Sequence, residues 1–160
     1  MDSSILIRPV VVLGVAGLVC YLLNRRLRVV SGLLALAAAV AALVQAIQIY
    51  ADGPQKYIYP GYKLVLGKLT LEVALRSSPL SGLLLLGVTF FGVLIIMFSL
   101  HKMRKTPEPG KYYAFTLWAL TGSCVAVLSD NWLFFLMGWE VVTVTLFLLV
   151  NLGGPEARDV

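Results

Sequence analysis

Apolar residues dominate five stretches of this chain: Ile5–Leu23, Val29–Tyr50, Leu80–Leu100, Tyr112–Leu128 and Trp132–Leu152. Each approaches the ~20 apolar residues that a helix needs to cross a hydrocarbon layer ~30 Å thick. Between the second and third stretches the pattern changes. GPQKYIYPGY is rich in turn formers. In KLVLGKLTLEVALR the apolar positions Leu64, Leu66, Leu69, Leu71, Val73 and Leu75 recur with a break at Gly67-Lys68. Alternation of this kind signals strands, and Gly-Lys suits a tight turn between them. The expectation is a short β-hairpin at about Lys63–Leu66 and Leu69–Val73, lying at the outer membrane surface. An irregular interfacial loop is the alternative. The fold class is therefore an all-α integral membrane protein, one membrane domain over 1–160. It has about five transmembrane helices and a hairpin in the outer loop between helices 2 and 3.

Composition points the same way. Of the 160 residues 59% are hydrophobic and 13% charged, against about 45–50% and ~25% in soluble domains. A soluble enzyme or soluble binding module is excluded. The net charge of +5 is clustered and lacks the aromatic interleaving of single-strand binders, so no nucleic acid is expected. Arg25, Arg26 and Arg28 follow the first apolar stretch. Lys102, Arg104, Lys105 and Lys111 sit between the third and fourth. Basic loops stay in the cytoplasm, and five helices put both clusters on that side. The N-terminus is then outside, the C-terminus cytoplasmic, and the turn Ser129-Asp130-Asn131 outside, in a cell (inner) membrane. The first stretch carries Arg8 before it and a basic cluster after it. It has no convincing small-x-small site, so it reads as a permanent helix rather than a cleaved signal. The second is alanine-rich (Ala35, Ala37, Ala38, Ala39, Ala41, Ala42), which permits close helix packing.

Few residues carry chemistry. Cys20 and Cys124 fall inside apolar runs and read as small buried hydrophobes. His101 alone builds no metal site. No dinucleotide, phosphate-loop, zinc or nucleophile-elbow motif occurs, so no catalytic residue, cofactor or metal is expected. Glu140 is the exception. It stands eight residues into the last apolar stretch, ~12 Å along a helix axis and near the middle of the bilayer. An acid at that depth costs ~2.5–3.5 kcal/mol to insert, by analogy with aspartate. The economical reading is a group that binds or relays a cation, usually a proton. Burial favours the protonated form of a carboxyl and a nearby cation the ionised form, so a moving partner can load and unload it. Thr143 lies one turn on. Leu133, Leu136, Met137, Val144 and Phe147 share the Glu140 side, and Gly138 lets another helix approach. Thr121 and Ser123 sit near the middle of the preceding helix. The expected site is Glu140 as proton-transfer residue, supported by Thr143, Trp139, Ser123 and Thr121. The plain alternative is a protonated glutamic acid that serves only packing. No Lys, Arg or His lies mid-membrane in this sequence; Arg8 is near a helix end, where it can snorkel.

LSDNWLFFLMGWEVVTVTLFLLVN resembles the fifth transmembrane helix of the antiporter-like subunits of respiratory complex I. It is similar also to that helix in multi-subunit cation/proton antiporters and membrane-bound energy-converting hydrogenases. KLTLEVALRSSPLSGLLLLGVTFFGVLIIMFSLHKM resembles their outer hairpin and third helix. The likeness covers about Tyr62 to Asn151, and the Trp139-Glu140 pair with its flanks is its most specific part. It implies that Glu140 takes the place of a glutamate that works with a lysine on a later helix to drive proton movement. No counterpart of that lysine occurs in this sequence. Ser77-Ser78 also stands where an acidic residue often precedes the third helix. The functional expectation is a truncated or split antiporter-like subunit, an N-terminal portion, within a multi-subunit membrane complex that couples proton or sodium movement to redox chemistry or ion exchange. Its expected partners are the lipid bilayer and other membrane subunits, one supplying the remaining helices and a buried lysine. The alternative is a structural membrane subunit that conducts nothing.

Overall fold

The computed structural model describes residues 3–23, 28–66, 69–102 and 109–152. A 3-10 turn, Ser3–Ile7, leads into helix α1 (Arg8–Leu22). Then follow α2 (Arg28–Asp52), strands β1 (Gln55–Leu66) and β2 (Leu69–Ser77), and helices α3 (Pro79–Lys102), α4 (Pro109–Leu128) and α5 (Trp132–Leu152). Five helices and a two-stranded antiparallel hairpin between α2 and α3 are thus present, as the apolar pattern predicts.

Local sequence sets the helix starts. Pro9, Pro79 and Pro109 occupy first-turn positions, where a missing N–H costs nothing. Ahead of α3, two serines cap each other. The Ser81 N–H donates to Ser78 Oγ at 3.1 Å and the Ser78 N–H to Ser81 Oγ at 2.6 Å, a reciprocal box built with serine in place of the usual glutamate. At α5 the Phe134 N–H donates to Asn131 Oδ1 at 2.8 Å, an asparagine N-cap.

The hairpin is longer than the expected 63–66 and 69–73. It pairs from Gln55↔Ser77 inward to Leu66↔Leu69, and the Gly67-Lys68 turn lies outside the described residues. Pro60 and Gly61 made the first half read as turn. The register explains how they fit: between the Ile58↔Ala74 and Lys63↔Glu72 pairs, β1 spends four residues where β2 spends one. Such a bulge is where a strand accommodates proline and glycine.

Helix α4 is the centre of the bundle and touches α1, α2, α3 and α5. Against it lie Gly17 of α1, facing Trp118; Gly32 of α2, facing Tyr113 and Leu100; and Gly92 of α3, facing Leu120. Helix α2 buries Ala35, Ala38, Ala39, Ala42 and Ala46, spaced by three and four so that they form one close-packing stripe. The start of α2 lies by the end of α3 and the start of α4, while Tyr50 near the end of α2 packs on Gly82 at the start of α3. The start of α2, the end of α3 and the start of α4 therefore share one end of the bundle, where α3 ends on His101 and Lys102. The hairpin and the α4–α5 turn share the other, joined by an isolated bridge between Leu75 and Ser129.

Four described segments, within Ile5–Leu22, Val29–Asp52, Pro79–Lys102 and Trp132–Leu152, are long and apolar enough to cross a membrane. α4 has the length, twenty residues, but carries Tyr112, Tyr113, Thr116, Trp118, Thr121 and Ser123. Sitting among protein neighbours rather than lipid, it tolerates them.

Candidate functional site

Two restraints fix α5. One is a backbone-to-backbone crossing with α4. A Cβ added at Gly138 would lie 2.8 Å from the Ala126 N and the Gly122 O; one added at Gly122 would lie 2.8 Å from the Gly138 O and 3.1 Å from Val141. Both glycines are required there, since only a missing side chain lets the helices meet this closely. The other restraint is at the start of α5. Asp130 donates its N–H to the Ala74 O at 3.1 Å. Its carboxylate sits 2.7 Å from Lys56 Nζ and 3.7 Å from Arg76. Both hairpin strands thus hold the turn from which α5 departs. The Asp130 side chain is 19% exposed. Sequence reasoning noted this turn but not its anchor. The signal was there: one acid in a connection that faces a hairpin carrying Lys56 and Arg76.

The crossing sets where Glu140 points. Residues two apart on a helix are separated by ~200°, so with Gly138 turned into α4, Glu140 is turned away from it. Glu140 is exposed on the isolated chain, and Leu133, Leu136, Met137, Val144 and Phe147 beside it are all exposed. The carboxylate makes no hydrogen bond or ion pair with any described residue. Glu140 and its apolar surround form one continuous face of α5 that the described residues of this chain leave exposed.

The other expected residues divide. The Thr143 Oγ1 donates to the main-chain O of Trp139 and of Glu140, both at 3.0 Å; its hydroxyl hydrogen is spent on the helix rather than on the carboxylate. Trp139 stacks on Phe135, ring centroids 6.2 Å apart. With Ser123, Val142, Ser78 and Ser81 it lines a cleft of about 500 Å3 between α3, α4 and α5. Ser123 lies in that cleft and donates to the Ala119 O at 2.9 Å. Thr121 is elsewhere. Its methyl group faces Gly14 of α1 and its hydroxyl donates to the Leu117 O at 2.8 Å. So Trp139 and Ser123 share a cleft, Thr143 neighbours Glu140 along α5, and Thr121 looks across the bundle.

A bundle of membrane-spanning helices with a hairpin between α2 and α3 and a mid-helix carboxylate on an open face defines the class: a multi-pass membrane subunit. Comparison with known proteins narrows it. No protein-family profile matches the chain. NADH-quinone oxidoreductase subunit L of Escherichia coli (strain K12) is 32% identical over 121 residues, 75% of this chain and 20% of that protein. Subunit L of Buchnera aphidicola from Acyrthosiphon pisum is 38% identical over 80 residues, 50% of this chain and 13% of that one. Na(+)/H(+) antiporter subunit A1 of Staphylococcus haemolyticus is 31% identical over 72 residues, 45% and 9% respectively. A chain in the structure of the membrane-bound sulfane sulfur reductase, an archaeal respiratory membrane complex, shares the fold. Its TM-score is 0.67 at 20% identity, over 91% of this chain and 22% of that one. The chain belongs to the antiporter-like membrane subunit family. It spans 20% or less of the length of these curated relatives.

Proposed function

We propose that this chain contributes Glu140 as a proton-transfer carboxylate to an antiporter-like subunit of a multi-subunit membrane complex, driven by redox chemistry or ion exchange. The observation that carries the reading is the open Glu140 face. A carboxylate near the middle of a spanning helix is too costly to leave against lipid, and no described residue of this chain answers it. The face calls for a protein cover that supplies a cation. A lysine from a helix beyond these 160 residues, on the same or another chain, has the right chemistry. Its approach favours the ionised form of Glu140 and its withdrawal the protonated form, which gives a cycle of uptake and release. The relatives support this, since one is named as a Na(+)/H(+) antiporter subunit and others as subunits of a quinone oxidoreductase. In this reading the basic end faces the cytoplasm, with the N-terminus outside and the C-terminus inside.

The structural alternative, in which Glu140 serves packing alone, calls for a partner that caps the carboxyl. None is present among the described residues. Two substitutions separate the readings. Glu140→Gln removes the titratable group and keeps size and hydrogen bonding. It is expected to leave assembly intact, since a neutral amide is cheaper to bury than a charge, and to abolish most proton or sodium uptake in reconstituted vesicles. Glu140→Asp is expected to retain part of it. Parental uptake by Glu140→Gln at matched assembly sinks the relay reading.

A further inference from the structure

At the basic end of the bundle, away from Glu140 and independent of its role, lies a cavity of about 790 Å3 between the last turns of α3 and the first turn of α4. Met97, Phe98, Ser99, His101, Lys102 and Tyr112 line it. Its hydrogen-bond inventory can be closed. The Ser99 hydroxyl donates to the Ile95 O at 2.7 Å, so across the 2.8 Å Ser99–Tyr112 contact the tyrosine is the donor. Both hydroxyl hydrogens are used within this pair and its helix. The donors left to an incoming molecule are the Lys102 ammonium and the His101 ring. Both are exposed and neither is paired with a described residue. Below them the wall is apolar: Phe98 is 74% exposed and Met97 49%. The cavity thus has a cationic rim where α3 ends and an apolar wall running into the span. Around it the sequence is strongly one-signed. Along the chain, Arg25, Arg26 and Arg28 stand between the first and second apolar stretches and Lys102, Arg104, Lys105 and Lys111 between the third and fourth, with Glu108 the one acid among them.

We infer that this cavity is a binding site for an anionic phospholipid, with the headgroup phosphate on Lys102 and His101 and an acyl chain along Phe98 and Met97. A free phosphate would use the rim and leave the apolar wall idle. A zwitterionic lipid would gain little from a rim of one sign. Basic sites at the ends of spanning helices recognise anionic headgroups by this combination of charge and depth.

The test uses the assembled complex in nanodiscs and a phosphatidylglycerol whose acyl chain carries a diazirine. Photolysis is expected to label the Met97–Phe98 peptide. Unlabelled phosphatidylglycerol should compete; phosphatidylcholine and inorganic phosphate should not. Lys102→Gln is expected to lower labelling about fivefold, the weight of one basic residue at an anionic surface. Lys102→Arg should keep it, which separates loss of charge from loss of fold. Equal labelling by a phosphatidylcholine probe overturns the headgroup assignment. Competition by inorganic phosphate makes the rim a free-anion site. No labelling in the assembled complex means that protein covers the cavity, and the lipid proposal fails.

Discussion

Helices α4 and α5 lie side by side and invert the usual expectation about apolarity. α4 carries hydroxyls and aromatics along much of its length, yet it buries Tyr113 to Leu117, Leu120, Gly122, Cys124 and Leu128 and packs against four helices. α5 is among the most apolar segments of the sequence, yet among its residues only Gly138 and Thr145 are buried. The difference shows what hydrophobicity reports in a membrane protein. Lipid is as apolar as a leucine side chain, so an outer helix has no reason to turn polar residues outward, whereas a central one can hold them among protein groups. The hydroxyls of α4 satisfy themselves: Thr116, Thr121 and Ser123 each donate to the carbonyl four residues back, at 2.9, 2.8 and 2.9 Å. Glu140 has no such local remedy, because a carboxylate accepts and cannot donate to its own helix carbonyls. On α4 the Thr and Ser hydroxyls are answered within the helix, whereas on α5 the Glu140 carboxylate is answered by no described residue.

The contrast breaks most readily at the glycine crossing. Gly138→Leu places a side chain against the backbone of Ala126 and Gly122, which cannot move aside as a flexible side chain can. Overpacking costs about 1–3 kcal/mol in ordinary cores, and at a backbone contact the upper end is expected. Assembly yield and thermal stability in mild detergent should fall sharply. Gly87→Leu is the control, because a Cβ there meets nothing within 4 Å, and it should assemble as the parent does.

A smaller effect is expected at the hairpin. Asp130→Asn keeps the main-chain bond to Ala74 but removes the charge facing Lys56 and Arg76. Those side chains are 51% and 65% exposed, so water screens the pair and the loss should not exceed about 1 kcal/mol. Hydrogen exchange should quicken in the first turn of α5 while α4 is unaffected. The gap between parent and variant should narrow as salt is raised. Unchanged exchange in that turn would mean that the backbone contacts alone hold α5.

The smallest change sharpens the contrast from the other side. Thr121→Val removes a hydroxyl that only bonds its own helix, so stability should shift by less than about 0.5 kcal/mol and ion uptake should be unaltered. A clear loss of uptake would bring Thr121 into the pathway despite its position against α1.

The sequence by itself determined the spans, the hairpin between the second and third helices, and the presence of a lone acid deep in the fifth. Each rests on a local rule: bilayer thickness sets the length of an apolar run, alternation marks a strand, and a charged residue stands out in an apolar run. Its Pro60 and Gly61 hid the first half of the hairpin, because a bulge that absorbs them is visible only once the register with β2 is known. Tertiary structure alone decided the rest. Thr121 and Ser123 are two residues apart and look equivalent in the sequence. Packing turns one toward α1 and the other into the cleft with Trp139. Asp130 read as a turn residue until the hairpin folded over it and brought Lys56 and Arg76 to its carboxylate. The direction of Glu140 was likewise undetermined, since Gly138 could have faced any helix. It faces α4 because Gly122 gives the matching gap, and that contact turns the carboxylate two residues on toward the open side of the bundle.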